Sequence, residues 1–177
     1  METQSTLLAQ LLAALNGQVA ILERHGALDR SVTSVTDDSR AVSSGSLFIA
    51  VKGERVDGHR YVAQAIEAGA AAIVAQESVE HKSLPFVKVA DSRKALGFIG
   101  GRFHGDPSAR LTMIGVTGTN GKTTIATLLF KLFSIRGFKC GLLSTVQNQV
   151  GDEILPATVP PEHKRRRINH HMDIQLG

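Results

Sequence analysis

Apolar residues along this chain fall either at helical intervals or in short unbroken runs, and the two kinds alternate. Leu7, Leu8, Leu11, Leu12 and Leu15 follow helical spacing behind Ser5, a capping residue type, and Gly17 is a stop signal. Residues 31–36 alternate and are β-prone, and residues 46–51 (SLFIAV) form a second strand after the turn Ser43-Ser44-Gly45. Residues 61–68 (YVAQAIEA) read as a helix closed by Gly69, with buried strands predicted over 70–75 and 85–89. Over residues 92–103, Leu96, Ile99 and Phe103 keep helical spacing in spite of Gly97, Gly100 and Gly101. Strands alternating with helices predict a sheet with parallel pairs.

Two breaks organise this pattern. Residues 51–61 (VKGERVDGHRY) are too polar and glycine-rich for a regular element, and such loops between buried strands are where binding groups tend to sit. Gly105-Asp106-Pro107 ends the helical spacing and marks a domain boundary. Beyond it, Leu111, Met113, Ile114 and Val116 form an apolar strand pattern. A glycine-bearing turn and a helical run with Ile125, Leu128, Leu129 and Leu132 follow. Gly137 stops that helix. Residues 139–145 (KCGLLST) read as the next parallel strand, and residues 147–155, with Gly151-Asp152 in the middle, as a short hairpin. From Val159 the chain has no apolar periodicity and is expected to be disordered.

Composition narrows the class. With 42% apolar and 20% charged residues in 177, the chain reads as a soluble globular protein, and with no Trp its core must be mainly aliphatic. The net charge of +4 points to an anionic partner only until it is located. Lys164, Arg165, Arg166 and Arg167 stand against Glu162 and Asp173 after residue 158, a net +2, which leaves +2 for all that precedes. A basic face for nucleic acid is therefore not indicated, and the basic run reads as a solvated tail. His163, His170 and His171 lack a carboxylate or thiolate at ligand spacing, which argues against a metal site. Cys140 is alone, so no disulfide framework exists, and a reducing cytoplasm is the expected compartment. It is expected to be a structural thiol in a buried strand. No apolar run reaches the roughly 18 residues needed to span a bilayer. The N-terminus carries Glu2 and no basic segment, so it reads as a helix and not a signal peptide.

The chemistry-bearing stretch is residues 111–124, LTMIGVTGTNGKTT. Strand, glycine turn and helix make the layout of a phosphate cradle. Gly118 and Gly121 allow close backbone approach, with Thr119, Asn120 and Thr124 completing the loop and its N–H donors. Lys122 supplies a mobile positive charge, and Thr123 a hydroxyl suited to magnesium. The strict G-x-x-x-x-G-K-[ST] pattern is not met, because Val116 stands five before Gly121 and Gly115 six before. A second segment, Thr36-Asp37-Asp38-Ser39-Arg40, is by itself a turn with a capping Asp or Ser. Paired with Gly53-Glu54-Arg55-Val56-Asp57-Gly58-His59 it suits recognition of a nucleotide or sugar phosphate.

Taken in order, DSR, G-x-L-F-x-A, G-x-x-x-D-G-H and GVTGTNGKTT, over residues 32–156, resemble the Mur ligase family of peptidoglycan synthesis. The similarity is greatest to members that add the third stem-peptide residue to UDP-N-acetylmuramoyl-L-alanyl-D-glutamate, with meso-diaminopimelate as the default amino acid. The resemblance implies an ATP- and Mg2+-dependent amide-bond ligase working through an acyl phosphate. It implies ATP contacts at Gly118, Thr119, Asn120, Gly121, Lys122, Thr123 and Thr124, with Lys122 catalytic and Thr123 on the metal. It also places Asp37, Ser39, Glu54, Arg55 and Val56 along the uridine-diphosphate end of the substrate. The implied architecture is α/β: a small N-terminal substrate-binding domain over residues 1–106, then the beginning of a mainly parallel-sheet, P-loop ATPase domain over 107–158, and a tail unrelated to the family over 159–177.

The family pattern is lost after residue 158, where Val159-Pro160-Pro161 replaces an expected Thr-Thr segment. The chain therefore reads as a truncated or frameshifted ligase that lacks the amino-acid-selecting domain and is not expected to catalyse. The alternatives are a non-catalytic nucleotide-binding module and a folylpolyglutamate-type ligase. The DSR and D-G-H segments disfavour the latter.

Overall fold

The computed structural model of the protein describes residues 5–53, 56–81 and 84–155. The chain divides into two compact units, Met1–Gly105 and Asp106–Gly177. The first contains β1 (Thr6–Leu7), α1 (Leu8–Leu12), β2 (Ile21–His25), β3 (Ser31–Val32), β4 (Ser34–Thr36) and β5 (Ser46–Ala50). It continues with α2 (Val62–Glu67), β6 (Ala72–Ala75), β7 (Phe86–Val89) and α3 (Ser92–Phe103). The second contains α4 (Lys122–Ile135), β8 (Gly141–Leu143), β9 (Asn148–Val150) and β10 (Glu153–Leu155).

A five-stranded sheet of order β2-β7-β6-β5-β4 is the frame of the first unit. Its β4, β5, β6 and β7 run parallel, as the alternation of strands and helices predicts, and β2 closes one edge antiparallel. The unbroken apolar runs have a direct cause, because strands covered on both faces have no solvated side to mark with polar residues. Leu47, Ile49, Val74 and Val87 point into one core with Leu8, Leu11, Leu15, Ala95 and Ile99 of the helical layer. Phe48, Ile73, Ala75 and Phe86 point into the other, against Val62 and Ala65 of α2. Full burial of each such large side chain stabilises by about 1.5–3 kcal/mol.

Several expectations at the ends of this unit need correction. Ser5 caps nothing: the chain first makes β1, which pairs antiparallel with β3, and α1 starts at Leu8 without a side-chain cap. Leu7 consequently leaves the apolar stripe and is exposed. The helix is short, and a 3₁₀ turn over Ala13–Leu15 carries Leu15 into the core. The 31–36 strand is interrupted at Thr33, so its halves join different sheets. β2 has no counterpart in the apolar pattern, because its Glu23, Arg24 and His25 are exposed.

The second unit departs further. Residues 112–117 form no strand, and Met113 and Ile114 are exposed. A strand needs a neighbour for its N–H and C=O groups, and the nearest candidate, β8, pairs instead with β9. That pairing is antiparallel, so 139–145 does not supply the parallel strand expected of it among the described residues. Cys140 is half-buried just outside β8. The hairpin over 147–155 forms as β9 and β10. The expected tail from residue 159 lies outside the described residues. Among the described residues no helix is long and apolar enough to cross a membrane.

Candidate functional site

Two constellations match the sequence expectations, one in each unit. In the first unit they gather at the carboxyl ends of the parallel strands, the end of an open α/β sheet at which ligands bind. Leaving β4, the buried hydroxyl of Thr36 accepts from Asp38 N–H at 3.1 Å, which starts the turn. Asp38 then caps a 3₁₀ turn over Ser39–Ala41, its Oδ1 accepting from Arg40 N–H at 3.0 Å. The same carboxylate takes the Arg40 guanidinium in a fork, Nε to Oδ1 at 3.0 Å and Nη2 to Oδ2 at 2.9 Å. That pairing raises the guanidinium pKa above its ordinary value, first through the hydrogen bond and then through the charge of Asp38. Ser39 Oγ donates to Gln64 Oε1 of α2 at 3.1 Å, and Asp37 is half-buried beside it in sequence.

Leaving β5, the chain makes a tight reversal. A β-bridge joins Lys52 to Asp57, Gly53 N–H donates to Val56 O at 2.9 Å, and Gly58 N–H donates to Val51 O at 3.0 Å. Val56 is exposed at the tip, while Glu54 and Arg55 lie outside the described residues. Asp57 repeats the device of Asp38: it caps a 3₁₀ turn over Gly58–Tyr61, with Oδ1 accepting from His59 N–H at 3.0 Å. Its carboxylate also accepts from the side chain two residues on, here His59 Nδ1 at 2.6 Å. The hydrogen bond from the His59 side chain, then that from its backbone, holds the Asp57 carboxyl below the usual carboxylate range. Lys52 Nζ reaches Glu77 Oε1 at 3.2 Å, and Arg93 Nη2 donates to Lys52 O at 3.2 Å.

Asp57, His59 and Glu77 bring three possible metal-ligand atoms within 4.8 Å of one another. Both ring nitrogens are already used, however. Nδ1 bonds Asp57, and Nε2 accepts from Gln76 N–H at 3.1 Å and Glu77 N–H at 3.2 Å. With no lone pair to spare on the imidazole, this is a hydrogen-bonded corner and not a cation site.

The second constellation is the turn before α4. Gly118 at φ 147° and Gly121 at φ 75° occupy backbone conformations that favour glycine, and Gly121 is the N-cap of α4. No side chain caps this helix start, so its first N–H groups remain available as donors. Lys122 Nζ folds over the turn, donating to Gly118 O and, at 3.2 Å, to Thr119 O. Asn120 and Thr124 are exposed and Thr123 half-buried. Thr123 offers one neutral hydroxyl in the first helical turn, which suits magnesium as a single protein ligand whose other oxygens come from phosphate and water.

Comparison with known proteins points to one family of ligases. The Mur ligase family, catalytic domain, matches residues 31–104. A UDP-N-acetylmuramoyl-L-alanyl-D-glutamate–2,6-diaminopimelate ligase of Parabacteroides distasonis is 48% identical, covering 84% of this chain and 30% of the relative. Its namesake in Cytophaga hutchinsonii is 46% identical over 80% of this chain and 30% of the relative.

The chain is similar to Mur ligases.

It spans about 30% of the length of these relatives. Among solved structures, this chain resembles a UDP-N-acetylmuramoylalanyl-D-glutamyl-2,6-diaminopimelate–D-alanyl-D-alanyl ligase of Acinetobacter baumannii. That likeness has a TM-score of 0.52 at 30% identity, over 76% of this chain and 29% of the other. A diaminopimelate ligase structure has the same fold, with a TM-score of 0.74 at 21% identity over 97% of this chain and 34% of the other. Of the residues expected at the substrate end, the fold brings Asp37, Ser39 and Val56 onto loops that leave adjacent parallel strands. Sequence reasoning read a capping Asp or Ser in the first turn, a role that Asp38 fills, and missed the matching role of Asp57. The signal was present in both as Asp followed two residues later by a side chain that can donate.

Proposed function

We propose that this chain carries the nucleotide-sugar-binding and ATP-phosphate-binding parts of a ligase that joins 2,6-diaminopimelate to UDP-N-acetylmuramoyl-L-alanyl-D-glutamate. The observation that carries the reading is the pair of turns at the carboxyl ends of β4 and β5, in a chain 48% identical to a ligase of that name. Asp37 and Ser39 on the first turn, with Glu54, Arg55 and Val56 on the second, contact the uridine-diphosphate end. These residues lie in a substrate domain over 1–106.

The segment over 107–158 holds ATP. N–H groups of residues 118–124 surround the phosphates, and Lys122 swings from the Gly118 and Thr119 carbonyls to the transferred phosphoryl group. Neutralising that charge and fixing its direction is the protein's main task in phosphoryl transfer. Thr123 holds Mg2+, and the compartment is the cytoplasm.

Calorimetric titration of the 177-residue chain with UDP-N-acetylmuramoyl-L-alanyl-D-glutamate and, separately, with ATP tests this reading. The muramoyl nucleotide should bind and should weaken about tenfold in Ser39→Ala, the loss of one good hydrogen bond. Lys122→Ala should leave that affinity unchanged and reduce ATP binding. Tight ATP binding with no affinity for the muramoyl nucleotide would replace this reading with that of a nucleotide-binding module.

A further inference from the structure

The hydrogen bonds around His59 fix which ring nitrogen accepts and which donates. Its side chain is only 7% exposed. Gln76 N–H and Glu77 N–H, which can only donate, both aim at Nε2, at 3.1 and 3.2 Å. That nitrogen must therefore present its lone pair, and the ring proton sits on Nδ1, where it is donated to Asp57 Oδ1. A second ring proton would turn Nε2 into a donor facing two donors. The charged groups around the ring are Asp57 at Nδ1 and Glu77, whose carboxylate is shared with Lys52.

What this ring joins gives it a role. On one side is Asp57, which closes the base of the reversal through its bridge to Lys52. On the other is the backbone just beyond β6. The imidazole is thus a cross-tie between the base of the reversal, at Lys52 and Asp57, and the central strand β6. Neighbouring ties, Lys52 to Glu77 and Arg93 to Lys52 O, involve flexible exposed side chains.

We propose that His59 is a positioning residue, which as the Nδ1–H tautomer ties the reversal closed by Lys52, Gly53, Val56 and Asp57 to the carboxyl end of β6. This rests on the reading of that turn as a contact for the muramoyl nucleotide.

Two substitutions separate the halves of the ring. In His59→Gln the amide oxygen can replace Nε2 as acceptor for the 76–77 backbone, whereas in His59→Asn only the Nδ1-side donor is kept. Ring 15N shifts of the wild-type chain at neutral pH should show a protonated Nδ1 and an unprotonated Nε2. Affinity for UDP-N-acetylmuramoyl-L-alanyl-D-glutamate should fall about tenfold in His59→Asn and stay within about threefold of wild type in His59→Gln. Hydrogen exchange at Gly53 and Gly58 should quicken in the Asn variant and not in the Gln variant. A ring protonated at Nε2, or equal affinity and exchange in both variants, would overturn the proposal. If the wild-type chain does not bind the muramoyl nucleotide, the functional reading fails, and the ring shifts with the exchange pattern still decide the role of His59.

Discussion

Two helices of similar length, α3 with 12 residues and α4 with 14, meet opposite fates. α3 is the more polar, yet it buries Ser92, Ala95, Ile99 and Phe103 against the sheet. α4 reads KTTIATLLFKLFSI and buries none of its residues, with Ile125, Leu128 and Leu132 all at least half exposed. The contrast shows what helical periodicity encodes. A single apolar stripe, as in α3, asks for one covering surface and finds it in the first unit. The apolar arc of α4 is wider, bounded by a narrow polar face of Thr123, Thr124, Thr127, Lys131 and Ser134, and asks for more cover, whereas the described residues of the second unit offer it β8 and its small antiparallel sheet. The first unit thus behaves as a complete packing solution and the second as one face of a larger one.

The comparison breaks if α4 is as protected as the sheet, which hydrogen exchange on the whole chain decides. Amides of β5 and β6 should exchange on the order of 10³-fold or more slowly than those of α4. Core truncations sharpen it. Phe48→Ala should cost about 3–5 kcal/mol in chemical denaturation, while Leu128→Ala should stay within about 0.5 kcal/mol. Gly58→Ala tests the reversal after β5, because the new Cβ would lie 2.8 Å from Val51 O and 2.9 Å from Val51 N, both backbone atoms. A loss of about 1–3 kcal/mol is expected, read as a lowered melting temperature. The smallest effect concerns acid. Asp57, whose carboxyl is depressed in the folded chain, stabilises it above the ordinary carboxylate value. That contribution is lost as pH falls through the lowered value. Melting temperature should therefore drop with acid in the parent, and Asp57→Asn should flatten that part of the profile.

Much of the first unit was legible because its elements are defined locally. α3 has the predicted limits, 92–103, and β5 runs from 46 to within a residue of the predicted end, since in both the burial pattern is written in consecutive residues. What was not legible depends on partners distant in sequence. β2 exists because β7 offers it an edge, and its own residues are too polar to announce a strand. Conversely, residues 111–116 have strand composition but, among the described residues, no partner strand, so composition misled. The candidate sites followed the same rule. Gly118, Gly121 and Lys122 are candidates because they share one contiguous glycine turn, and Asp37, Ser39 and Val56 because resemblance supplied the pairing of two loops. His59 could not, because its role is set by N–H groups of Gln76 and Glu77, seventeen residues away and more.

The borders of the five-stranded sheet have a consequence for the protein as a solute. β4 is three residues long, and β2 carries Glu23, Arg24 and His25 on a strand with a register shift between Ile21 and Glu23. Short, charged and irregular margins are poor templates for a foreign strand. The first unit should therefore resist stacking edge to edge into fibrils even at high concentration, and any self-association of this chain should begin at the apolar surface of α4.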